Sequence, residues 1–248
     1  VPKPIEYGIT YTNVILTTKD DIKIRAYVCK RPNEEEASKR PTILMFHGNA
    51  GNMGHRLPIA ERFYKDFECN VVLLSYRGYG RSEGTPSEKG IRIDAQAVLD
   101  YIKQDYFLKD TKLIIYGQSF GGAVAIDLVS RNESKVSGLI IENTFLSIPR
   151  IIPHVAPKLR YFSFICSEIW PSDKNITKIN HIPILFISGT KDEIIPLQHM
   201  RTLYELATTT GRKEWKEIIG GTHYDTVTKP GYFELIREFL KSEDLGLE

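Results

Sequence analysis

Apolar positions along this chain fall into three arrangements. Two early segments alternate apolar and polar residues: Val14 to Thr17, then Ile22 to Val28 with Ile22, Ile24, Ala26 and Val28 on one face. A period of two marks strands with one buried face, so they read as an antiparallel pair turned at Lys19-Asp20-Asp21. Five later runs are near-continuously apolar: TILMF after Pro41, VVLLSY, Thr111 to Tyr116, VSGLIIEN, and PILFIS at Pro183 to Ser188. Strands covered on both faces need such runs. Lys216 to Ile219 reads as a last short strand. Helical spacing appears between them, at Arg56 to Tyr64, Pro86 to Lys103, Gly121 onward, Pro196 to Ala207 and Gly231 to Leu240. Strands alternating with helices predict the α/β class: one domain over residues 1–248, with an open, mostly parallel sheet and helices on both faces. The charged run Arg31 to Arg40 lacks apolar period and reads as a surface loop.

One interval breaks the alternation. Residues 143–182 carry Leu146, Ile148, Ile151, Val155, Leu159, Phe162, Phe164, Ile165, Ile169 and Trp170, interrupted by Pro149, Pro153, Pro157 and Pro171. That is too apolar for a solvated loop and too proline-rich for one long helix. Two or three short helices forming a small lid over an apolar pocket are expected, at the strand C-termini where open α/β sheets bind ligands.

Composition narrows the function. Lys plus Arg number 33 against 31 Asp plus Glu in 248 residues, which leaves no basic excess for coating a phosphate backbone and argues against a nucleic-acid partner. Cys29, Cys69 and Cys166 are well separated and odd in number, with neither metal-ligand nor disulfide spacing, and read as buried thiols. The uncharged run Leu113 to Ile126 is too short to span a bilayer.

The chemistry concentrates in YGQSFGG. Gly117 and Gly121 flank Ser119 at the junction of an apolar strand and a small-residue helix, where Val124, Asp127 and Leu128 show helical spacing. A strand that turns directly into a helix bends sharply, and the glycines remove the Cβ atoms that would collide there. The residue at the apex is strained and exposed, as a nucleophile elbow requires. A serine hydroxyl is protonated at neutral pH, so it needs a base, and the base needs an orienting acid. With an elbow serine the acid follows, then the histidine, each on a loop after a strand. PILFIS leads into Gly189-Thr190-Lys191-Asp192-Glu193, where Asp192 is preferred over Glu193 because it is nearer the strand end and shorter. Of the six histidines, His223 alone follows both the last strand and Asp192 on a loop; His199 falls in a helix.

The attacked carbonyl also needs preorganised donors for its developing negative charge. The Phe120 N–H, next after the nucleophile, supplies one. The loop His47-Gly48-Asn49-Ala50-Gly51-Asn52 after TILMF is expected to supply the second, from Asn49 with Ala50 as the alternative. His47 is expected to fix this loop. No metal or organic cofactor is called for.

HGNAGN, SYRGYGRSEGTPSE, YGQSFGG, GTKDEIIP and GTHYDT, in that order, resemble the α/β-hydrolase superfamily over essentially the whole chain. HGNAGN with RGYGRSEGTPSEKG, ENTFLSI and EIW resembles the subgroup of the fungal bud-emergence hydrolase and the animal α/β-hydrolase domain-containing protein 13. The resemblance implies an eight-stranded sheet and a catalytic Ser119, Asp192 and His223. It also implies an N-terminal membrane anchor. Because the chain opens on Val1, it is expected to be a soluble fragment of a membrane-associated protein. The expected substrate is a small or lipid-like acyl compound, a carboxylic ester or thioester with an apolar acyl group. A related branch that deacylates palmitoylated proteins makes a thioester an allowed extension. The rival reading is a membrane-tethered scaffold with little turnover, using the apolar interval as a contact surface.

Overall fold

A computed structural model of the chain describes residues 1–156, 158, 167–242 and 245. Its strands are β1 (Thr12–Thr17), β2 (Lys23–Cys29), β3 (Thr42–Phe46), β4 (Asn70–Ser75), β5 (Leu113–Gln118), β6 (Gly138–Glu142), β7 (Ile184–Gly189) and β8 (Lys213–Ile218). They form one eight-stranded sheet in the order β1-β2-β4-β3-β5-β6-β7-β8. β2 is antiparallel to both β1 and β4, and every pairing from β4 through β8 is parallel. β5 begins two residues later than its apolar run and continues through Gln118. β8 begins earlier than its sequence signal, because an edge strand of alternating charge lacks an apolar run.

The α-helices among the described residues are α1 (Glu34–Lys39), α2 (Leu57–Lys65), α3 (Glu88–Gln104), α4 (Phe120–Asn132), α5 (Ile148–Val155), α6 (Ser172–Ile176), α7 (Leu197–Leu206) and α8 (Tyr232–Leu240). Alternation along the central strands divides the core into two layers. Leu44, Phe46, Leu113 and Ile115 pack with Val98 and Leu99 of α3, Val124 and Leu128 of α4, and Leu203 of α7. Ile43, Met45, Ile114 and Tyr116 pack on the other face with Leu57 and Phe63 of α2 and Ile236 and Phe239 of α8. Each such buried side chain contributes about 1.5–3 kcal/mol, which makes this two-sided burial the main support of the fold.

α1 corrects the surface-loop reading of Arg31 to Arg40. The Asn33 side chain accepts the N–H groups of Glu35 and Glu36, and three glutamates occupy the first turn. Capping and the helix dipole stabilise this turn without an apolar stripe. Ser87 caps α3 through Gly90 N–H, so Pro86 lies just ahead of the helix and not in its first turn.

In the interval 143–182, α5 and α6 are two short helices, with Pro149 and Pro153 inside α5. Leu159, Phe162, Phe164 and Ile165 of the expected lid, with Pro157 and Cys166, lie outside the described residues. Cys29 and Cys69 are buried free thiols, and burial pushes each up to about 12.

Candidate active site

Parallel strands place their C-terminal ends on one edge of the sheet. Gly48 and Asn49 follow β3, Ser119 follows β5, Asn143 follows β6, Asp192 follows β7 and His223 follows β8.

Ser119 adopts φ 54° and ψ −122°, a left-handed conformation costly for a residue with a Cβ. Surrounding contacts hold it there: its N–H donates to Glu142 O at 2.9 Å, and Thr144 Oγ1 donates to its carbonyl at 2.7 Å. The flanking glycines explain themselves sterically. A Cβ on Gly117 would lie 2.2 Å from Gly121 O, and one on Gly121 would lie 2.1 Å from Phe46 O.

His223 Nε2 stands 3.0 Å from Ser119 Oγ, and its Nδ1 stands 2.8 Å from Asp192 Oδ2. A carboxylate only accepts, so Nδ1 carries the proton and Nε2 is left to accept from the serine hydroxyl. The Asp192 and His223 side chains are 1% and 7% exposed, which strengthens their attraction by excluding water. Asp192 Oδ1 meanwhile accepts the N–H groups of Ile194 and Ile195 at 2.9 and 2.8 Å. Glu193, the alternative acid, instead accepts the His223 backbone N–H at 3.2 Å.

The three loops are also tied to each other. Lys191 N–H donates to Gly221 O at 2.8 Å, joining the acid and histidine loops. Asn143, buried at φ 44°, accepts Gly189 N–H and donates to Thr226 Oγ1, thereby linking β6, β7 and the histidine loop. Glu142 lies wholly buried below the elbow, accepting Tyr116, Tyr232 and Gln118, and burial raises its carboxyl pKa. Sequence reasoning missed Glu142, Asn143 and the Glu193 contact. ENT after an apolar run was the available signal, but its partners are distant in the chain.

Gly48 packs directly on the elbow: a Cβ there would lie 3.6 Å from Ser119 Cβ. His47 is buried, its Nδ1–H donates to Gly48 O at 2.7 Å, and burial lowers its pKa to about 4. Asn49, Ser119 and Phe120 line one cavity of about 440 Å³, walled otherwise mainly by Phe145, Ile148, Ile151, Trp170, Ile194 and Ile195. Neither the Phe120 N–H nor the Asn49 N–H is consumed by a hydrogen bond among the described residues. Trp170 meets Phe120 edge-on at 5.1 Å, and Glu88 accepts its N–H. A larger cavity of about 530 Å³ beside α3 shares Ser87 and Glu168 with this one but lacks Ser119.

Residues 41–163 match the family model of the alpha/beta hydrolase fold. Protein bem46 of Schizosaccharomyces pombe is 45% identical over 247 residues, spanning 99% of this chain and 82% of that protein. The chain belongs to the α/β-hydrolase family. Within that family it groups with bem46 and with an uncharacterized membrane protein of Saccharomyces cerevisiae, YNL320W, which is 43% identical over 97% of this chain and 83% of its own length. The α/β-hydrolase fold is also that of the Pyrococcus furiosus esterase Pf2001, with TM-score 0.77 and 20% identity over 96% of this chain and 95% of that one. No described helix of this α/β hydrolase is long and apolar enough to cross a membrane.

Proposed function

We propose that the protein is a serine hydrolase of carboxylic esters or thioesters with an apolar acyl group. The carrying observation is the hydrogen-bonded chain from Asp192 through His223 to Ser119, opening into the apolar cavity.

In this reading Ser119 Oγ bonds to the acyl carbon while His223 Nε2 takes the hydroxyl proton. The carbonyl oxygen becomes an oxyanion facing the N–H groups of Phe120 and Asn49. Collapse expels the alcohol or thiol, which leaves with the proton from His223. Water then loses a proton to His223, attacks the acyl-enzyme and releases the carboxylic acid, returning the proton to Ser119. Asp192 holds the imidazole in the tautomer this needs. The described parts of the interval 143–182 serve as a cover for the acyl group, a reading supported by Ile148, Ile151 and Trp170 in the cavity wall. Action at a membrane is supported by the name of the Saccharomyces cerevisiae relative.

The test is a panel of p-nitrophenyl esters from two to sixteen carbons, with matched acyl thioesters. Turnover that rises with acyl length, then falls once the cavity is full, is expected. A flat or polar-favouring profile contradicts the lid reading, and folded protein that cleaves none of the panel points to the scaffold role.

A further inference from the structure

The segment Ser75 to Gly80 takes no part in proton transfer, yet three of its side chains reach the loop after β3. Tyr76 Oη–H donates to His47 O at 2.9 Å, Tyr79 Oη–H donates to Asn49 Oδ1 at 2.8 Å, and Ser75 Oγ accepts Met53 N–H at 3.2 Å. The segment is itself firmly rooted. Arg77, buried, is gripped by Asp94 on one side and Asp20 on the other, and its own N–H donates to Asp94 at 2.8 Å. Gly78 and Gly80 flank Tyr79 with φ of 76° and 59°. A Cβ on Gly80 would lie 3.3 Å from Asn52 Cβ, so this backbone runs against the β3 loop.

We propose that Tyr79 is a positioning residue for the oxyanion site, holding the Asn49 amide in its working direction. The inference rests on the serine-hydrolase reading above. The peptide joining Gly48 to Asn49 is planar and trans, so its N–H points opposite to the Gly48 carbonyl. His47 grips that carbonyl from one side. Gly48, without a Cβ, leaves the peptide otherwise free to turn. The Tyr79 hydroxyl supplies the second point of attachment by pinning the Asn49 side chain. Its ring is seated by His47 at 5.2 Å and Tyr76 at 5.8 Å, so the hydroxyl is delivered from a fixed platform. An oxyanion donor is effective only when preorganised, which makes loss of one attachment a transition-state effect.

The test compares the wild type with Tyr79→Phe, Asn49→Ala and the double variant. Tyr79→Phe keeps the ring packing and removes only the donor. A fall of about 10- to 100-fold in kcat on p-nitrophenyl butyrate is expected, with KM within about twofold. The affinity of an alkylboronic acid, whose serine adduct carries the tetrahedral negative charge, should fall by the same factor. Asn49→Ala retains the backbone donor and should lose as much, with no further loss in the double variant. Amide hydrogen exchange across residues 47–53 should quicken in Tyr79→Phe, a readout that needs no turnover. Wild-type kcat with unchanged exchange, additive losses, or a change confined to KM overturns the proposal. A wild type that neither cleaves esters nor binds the boronate defeats the hydrolase reading itself, a different result.

Discussion

Asp192 faces two ways: its Oδ2 lies 2.8 Å from His223 Nδ1, while its Oδ1 accepts the N–H groups of Ile194 and Ile195. The carboxylate is therefore fixed before it orients the imidazole. Asp192→Asn keeps an oxygen for the turn but presents an amide that favours the wrong tautomer. It should lower kcat by about 10²- to 10⁴-fold with little loss of melting temperature. Glu193→Gln retains an oxygen for the His223 N–H and should cost less than about tenfold. Steady-state kinetics on the two variants separate the two acids, and a larger loss at Glu193 would reverse their assigned roles.

The elbow glycines are predicted to be steric necessities. In Gly121→Ala the new Cβ would press against Phe46 and His47 carbonyl oxygens, backbone that has no room to yield. A loss above about 4 kcal/mol, or failure to fold, is expected by urea unfolding. Gly220, at φ 73°, has open space around it, so Gly220→Ala should cost only backbone strain, about 1 kcal/mol. Equal losses at the two sites would contradict this reading.

The sheet, and the three side chains that the structure brings within hydrogen-bond distance of one another, were legible because both leave local marks. Continuous apolar runs gave β3 to β7, and Ser119, Asp192 and His223 each stand on a loop directly after a strand. Helix α1 was hidden because its stability resides in Asn33 and a run of glutamates, which carry no apolar period. The cross-braces were hidden for another reason. Asn143 reaches Thr226, Tyr79 reaches Asn49 and Glu142 reaches Tyr232 across long stretches of chain, and nothing in the local pattern pairs them. Motif SYRGYG was recognisable only by resemblance, although its tyrosines sit against the site.

Acid stability offers an independent check. Burial lowers His47 and His199 from 6.5 to about 4, so the unfolded chain takes up protons that the fold refuses. Stability tied to these neutral imidazoles is complete above about pH 6.5 and lost as pH falls toward 4, on the order of 3 kcal/mol for the deeply buried His47 and less for the partly solvent-screened His199. Glu142 has the opposite sign: its raised pKa makes stability decline as pH rises past 4.5. Urea unfolding between pH 7 and pH 4.5 should show a falling midpoint, with a shallower fall in His199→Gln. An identical slope in that variant would contradict the assignment.

The most direct measurement is the reaction of the folded protein with a fluorophosphonate, followed by mass spectrometry of its peptides. The phosphonyl group is predicted on Ser119, absent in Ser119→Ala and slowed by orders of magnitude in His223→Ala. Folded wild type that stays unlabelled, or carries the group on another residue, would contradict the assignment of Ser119 as nucleophile.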